Sequence, residues 1–161
     1  LYSSAASDVY KRQVALFLFL IASFSDFLDG YLARKTNSVS ILGEILDPIA
    51  DKLLIVFVLI GLSINLDSFL IGFISAVIIS REIWVAALRD INARNSQSDK
   101  TKVTFLAKTK TAIQMLSILM YLLGLTINNM MVLFFADIIL IIALLVTIHT
   151  GFQYTISTFK K

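Results

Sequence analysis

Cysteine is absent from this sequence, so disulfides and thiolate metal sites are excluded, and proline occurs only once. Charge is also sparse: 16% of the 161 residues are charged and the formal net charge is +3. No basic stripe interleaved with aromatics occurs, so nucleic acid is not an expected partner. What fills the chain is apolar. Hydrophobic residues make up 58% of it and the mean hydropathy is +0.86, too high for an ordinary soluble domain.

The apolar residues fall in five blocks of membrane-crossing length, which predicts an all-α, polytopic transmembrane helix bundle. Expected helices cover about 14–34, 41–64, 68–93, 103–123 and 130–159. Asn65-Leu66-Asp67 and the segment 124–129 read as tight turns, and 35–42 and 94–102 as polar connections. Residues 1–13 are polar, end in Lys11-Arg12 and lack the apolar core of a signal peptide. They read as a non-native junction or disordered segment outside the membrane domain of 14–161. Alternating helices place Arg34, Lys35, Arg94, Lys100, Lys102, Lys160 and Lys161 on one side, while the opposite turns carry no Lys or Arg. The positive-inside rule makes the basic side cytoplasmic. Lys11 and Arg12 fall on the other side and break the pattern.

Four aspartates stand out against this background: Asp26 and Asp29 on the first expected helix, Asp47 and Asp51 on the second. Spacings of i, i+3 and i, i+4 put each pair on one helix face. Asp26, Asp29, Gly30 and Ala33 form one stripe, and Gly43, Asp47 and Asp51 another. Carboxylates at the edge of an apolar segment need compensation. Two divalent cations, Mg²⁺ or Mn²⁺, would cancel four negative charges and take oxygen ligands. Such two-metal sites suit phosphoryl or phosphatidyl transfer. The small residues Gly30, Ala33 and Gly43 leave room for a group to approach the backbone. The plainer alternative is ion pairing of the aspartates with Arg34, Lys35 and Lys52.

The pattern D-x2-D-G-x2-A-R-x8-G-x3-D-x3-D, at Asp26, Asp29, Gly30, Ala33, Arg34, Gly43, Asp47 and Asp51, resembles the signature of the CDP-alcohol phosphatidyltransferases. The resemblance extends over about 15–158 and implies a set of roles. All four aspartates would bind the metals that hold the CDP diphosphate. Gly30, Ala33 and Gly43 would line the cytidine pocket with Arg34 nearby, and Asp51 would be the general base for the acceptor hydroxyl. The family also implies six membrane helices in a full-length member, one of them preceding the first helix of this chain. It implies a bacterial inner-membrane enzyme whose active site faces the cytoplasm, and leaves room for a homodimer in the lipid bilayer.

The acceptor is read from downstream text. SREIWVAALRD (80–90) and FLAKTKTAIQM (105–115), with LDPIADKLL (46–54), resemble the branch that joins CDP-diacylglycerol to glycerol 3-phosphate. Arg81 and Arg89 share a helix face, and Lys108 and Lys110 open the next helix. These four cations at the cavity mouth suit a phosphorylated acceptor, which must approach an anionic diphosphate. Positive-inside bias with snorkelling side chains is the alternative for Lys108 and Lys110. Glu82 could orient either Arg81 or Lys110. A cardiolipin-synthase-like acceptor and, in another class, a cation transporter are the competing functions. Asp137, Trp84 and Tyr121 read as packing or interfacial residues, the lone His149 as hydrogen-bonded within the bundle, and Asp90 with Arg94 as an i, i+4 pair.

Overall fold

The computed structural model describes the backbone of residues 2–36, 41–95 and 105–160, with side chains for 9–25, 28, 49, 52–95 and 109–160. Five helices account for it: α1 (Tyr2–Thr36), α2 (Ile41–Asn65), α3 (Phe69–Arg94), α4 (Phe105–Ile127) and α5 (Met130–Phe159). Among the described residues there is no strand. Positions 37–40 and 96–104, which cover most of the two expected polar connections and the first two residues of the expected fourth helix, lie outside the described residues.

α4 packs against α1, α2 and α5, and α3 joins α2 to α5. The core between them gathers Phe19 of α1, Ile55, Leu59 and Leu62 of α2, and Ile71, Ile74 and Ile78 of α3. From α4 and α5 come Ile118, Tyr121, Leu122, Leu125, Ala136 and Leu140. The outward face is equally apolar: Phe17, Phe24, Phe57, Phe73, Phe134, Leu145 and Phe152 are all exposed. A helix bundle greasy on both faces belongs in lipid. Helices α3 (69–94), α4 from 109 to 127, and α5 (130–159) are long and apolar enough to cross a membrane.

Helix boundaries depart from the expected ones at two places. α1 begins at Tyr2 rather than near Val14, so residues 2–13 prolong the first helix. Ala5, Ala6, Lys11, Arg12 and Gln13 favour helix, and no glycine or proline breaks the run. Arg12 Nη1 donates to the Leu125 carbonyl at 3.3 Å, satisfying one of the carbonyls left open at the α4 C-terminus. The second departure is at Gly124, expected in a turn but helical; the turn shrinks to Asn128 and Asn129. Asn128 takes φ 51°, a left-handed conformation that asparagine tolerates, and Asn129 caps α5 through its side-chain oxygen. Gly124 instead serves packing. A Cβ there would stand 2.7 Å from Leu133 Cδ2 and 3.2 Å from the Leu133 backbone nitrogen. Gly124→Ala is therefore expected to destabilise the α4–α5 hairpin by about 1–3 kcal/mol, measured as thermal unfolding in detergent.

The α2–α3 turn follows the sequence reading. Asp67 has φ 47°, Ser68 caps α3 by accepting from the Ile71 amide, and Ser63 Oγ donates to the Ser68 carbonyl at 3.0 Å.

Candidate active site

Three buried stripes change character at a common depth. On α3 the run Ile71, Ile74, Ile78 gives way to Arg81 and later Asn92; on α5, Ala136, Leu140 and Ala143 give way to Thr147 and Thr150. α4, running the opposite way, passes from Lys110 and Gln114 to Ile118 and Tyr121. One half of the bundle is thus packed mainly with hydrocarbon, with Ser75 and Ser117 buried in it, and the other combines polar groups with the smaller apolar cluster of Val85, Leu88 and Tyr154.

Glu82 is the centre of the polar half. Its Oε1 accepts from Arg81 Nη1 at 2.8 Å and from Lys110 Nζ of α4, and its Oε2 lies 3.9 Å from Lys52 Nζ of α2. One carboxylate therefore ties three helices together. Arg81 reaches a fourth: its Nε donates to the Thr147 carbonyl at 3.1 Å and its Nη2 to Thr150 Oγ1 at 2.7 Å. Gln114 Nε2 donates to Thr147 Oγ1 at 3.2 Å, closing the network between α4 and α5. Three cations around one anion leave this cluster a net positive charge of about +2, which suits a phosphate monoester of nearly two negative charges.

Arg89 stands two turns further along α3. Its Cζ lies 5.3 Å from the Tyr154 ring centroid, while Arg81 Cζ lies 5.8 Å from it, so both guanidiniums share one aromatic ring. Arg89 Nη2 donates to Tyr154 Oη at 3.4 Å, and its buried Nε has no partner among the described residues.

The structure thus brings together Arg81 and Lys110 of the expected phosphate-binding set and links Arg89 to them through Tyr154. It corrects their depth. Arg81 and Lys110 are 9% and 7% exposed, not displayed at a mouth. Glu82 makes this burial tolerable, because a buried cation needs a counter-charge within hydrogen-bond reach. Glu82 orients both residues, not one of them. Lys108 lies on α4, with its side chain outside the described residues.

The acidic signature occupies helical backbone throughout. Asp26, Asp29, Gly30, Ala33 and Arg34 lie on α1, and Gly43, Asp47 and Asp51 on α2. The i, i+3 and i, i+4 spacings accordingly act as helix-face spacings, while these side chains lie outside the described residues. Lys52, next to Asp51, is the described residue that locates this end of α2: its ammonium sits beside Glu82 rather than being left to the aspartates alone. Hard oxygen donors at such spacing fit Mg²⁺ or Mn²⁺ chemically. Among the described residues no group of three or more His, Asp or Glu side chains is placed to hold a metal ion.

Several further assignments can be placed. Tyr121 donates to Asp137 Oδ1, a packing contact between α4 and α5. Trp84 is half exposed and donates to Thr155 Oγ1 at 2.9 Å, as an interfacial anchor would. Asp90 and Arg94 pair at 2.9 Å on the surface. His149 departs from expectation: it is exposed and pairs with Gln153 on its own helix at 3.0 Å, because position 149 faces away from the α5 stripe. Sequence reasoning missed Gln114, Thr147, Thr150, Gly151 and Tyr154. For the four on α5 the signal was a stripe of small and polar residues at i, i+3, i+4 and i+7 inside an apolar helix.

An apolar bundle with spanning helices and a buried Arg81–Glu82–Lys110 cluster is an integral membrane protein. The chain belongs to the CDP-alcohol phosphatidyltransferase family, whose model matches residues 1–149. It is 42% identical over 144 residues to the CDP-diacylglycerol–glycerol-3-phosphate 3-phosphatidyltransferase of Rickettsia bellii, covering 89% of this chain and 77% of that one. Proteins of the same name from Rickettsia felis and Haemophilus influenzae are 40% and 38% identical. These alignments cover 89% and 88% of this chain, and 77% and 75% of the relatives.

Proposed function

We propose that this protein transfers a phosphatidyl group from CDP-diacylglycerol to glycerol 3-phosphate, releasing CMP and forming phosphatidylglycerophosphate. The relatives' names support the reaction class. The observation that carries the acceptor is the Lys52–Glu82 approach, which sets the aspartate-bearing end of α2 beside the Arg81–Lys110 cluster. That approach supports a diphosphate site next to a site for a second phosphate.

Asp26, Asp29, Asp47 and Asp51 would hold two divalent cations, Mg²⁺ or Mn²⁺. When bound, those ions would supply electrostatic stabilisation of the attacking and leaving oxygens. Gly30, Ala33 and Gly43 would line the cytidine pocket, with Arg34 nearby. Asp51 takes the proton of the acceptor hydroxyl as that oxygen bonds to the phosphorus bearing diacylglycerol. The bond from that phosphorus to the CMP oxygen breaks, and CMP leaves with the electron pair. Arg81, Arg89, Lys108 and Lys110 receive the phosphate of glycerol 3-phosphate. The Lys/Arg distribution supports an active site on the cytoplasmic face of a bacterial inner membrane.

Membranes containing the protein, supplied with CDP-diacylglycerol, Mg²⁺ and labelled glycerol 3-phosphate, are expected to form labelled phosphatidylglycerophosphate. Product with phosphatidylglycerol and none with glycerol 3-phosphate would reject the acceptor. Arg81→Ala is expected to raise the KM for glycerol 3-phosphate about 10–100-fold, the worth of one charged hydrogen bond, and to leave that for CDP-diacylglycerol nearly unchanged. Equal effects on both would remove Arg81 from phosphate recognition.

A further inference from the structure

The buried stripe of α5 carries Thr147, Thr150, Gly151 and Tyr154, and all four meet Arg81. Its Nε and Nη2 are taken by the Thr147 carbonyl and Thr150 Oγ1, at 3.1 and 2.7 Å. The Thr150 hydroxyl hydrogen has acceptors of its own in the Val146 and Thr147 carbonyls, at 2.8 and 3.1 Å. Its lone pairs therefore remain for the guanidinium. Tyr154 offers its ring face. Gly151 contributes by lacking a side chain: a Cβ there would stand 3.0 Å from Arg81 Cγ and 3.3 Å from Nε. The arginine stem lies flat on α5 backbone that only glycine leaves bare.

A snorkelling arginine has no such seat, since its head group is free to follow water. Here the head is fixed from three directions: a carbonyl at Nε, a hydroxyl at Nη2 and the Glu82 carboxylate at Nη1. Among the described residues, one N–H remains on each terminal nitrogen after these bonds, enough to grip two oxygens of a phosphate.

We propose that Thr150 and Gly151 are positioning residues of the acceptor site, acting through Arg81: together they aim its guanidinium at the phosphate of the acceptor. The inference rests on the functional reading above and adds to it a wall of the site that the signature of α1 and α2 does not contain.

Steady-state kinetics on membranes carrying the full chain test it. Alanine is a better helix former than the glycine it replaces, so helix propensity does not oppose Gly151→Ala. That variant is expected to raise the glycerol 3-phosphate KM about tenfold, with kcat and the CDP-diacylglycerol KM held within about threefold. Thr150→Val keeps the shape, loses the acceptor oxygen and shifts the same KM in the same direction. In an Arg81→Ala background neither substitution adds a further effect. A glycerol 3-phosphate KM unchanged in both variants, equal rises in both KM values, or effects that add to Arg81→Ala would overturn the positioning role. If Gly151→Ala does not accumulate in the membrane, Thr150→Val decides. Wild-type protein that is inactive with glycerol 3-phosphate rejects the proposed function, and the inference with it; active wild type with unaffected variants rejects the inference alone.

Discussion

Asp51→Asn is expected to lower kcat for phosphatidyl transfer by about 10²–10⁴-fold, the usual contribution of a positioned general base. Asparagine keeps the size of aspartate but cannot accept the proton of the attacking hydroxyl. It also removes one of four negative charges proposed to hold the cations, so the Mg²⁺ needed for half-maximal residual activity rises as well. The substitution is isosteric and should leave the unfolding midpoint in detergent close to that of the wild type. Labelled lipid formation across a Mg²⁺ titration checks both points. Turnover above a tenth of wild type at saturating Mg²⁺ would take the base role away from Asp51.

Glu82→Gln is expected to have the largest effect on stability. Arg81 and Lys110, with side chains only 8% exposed, share this one carboxylate. Its neutralisation leaves two neighbouring cations buried in a low-dielectric bundle, and breaking a buried pair this way costs about 3–5 kcal/mol. Lys52, 43% exposed and 3.9 Å away, loses little, and Lys52→Gln should cost about 0–1 kcal/mol. Thermal unfolding in detergent distinguishes the two variants. Adding Lys110→Met to Glu82→Gln should recover part of the loss, because it removes one of the stranded charges. A Glu82→Gln protein as stable as wild type would mean that water, not Glu82, compensates the cations.

These expectations draw unequally on sequence and structure. That the aspartates sit in pairs on helix faces was legible, because 3- and 4-residue spacings have one meaning on a helix. The membrane helices followed from hydropathy. What periodicity does not carry is the partner across a helix interface. Glu82 could be matched with either Arg81 or Lys110 from spacing alone, and only the packing of α3 against α4 and α5 brings both to it. Thr147, Thr150 and Gly151 were hidden because small and hydroxylated residues in a membrane helix more often serve close packing than binding. Gly124 misled for a related reason: glycine signals a turn by its backbone freedom, whereas here its missing side chain admits Leu133. The start of α1 was obscured by composition, since a polar segment can still be helical.

The change from hydrocarbon to polar groups at one depth of α3, α4 and α5 has an electrical consequence. The potential across an energised membrane falls mainly where the dielectric is lowest, and moving a unit charge through all of it is worth about 2.3 kcal/mol per 100 mV. In this bundle that region is the half packed by Leu59, Ile71, Ile74, Ile118 and Leu140. An anion or cation reaching the polar half from its own side crosses little of the voltage. With Asp51 as the proposed base, proton and substrate charges would do little work against the field, and turnover is expected to be the same with and without an imposed membrane potential.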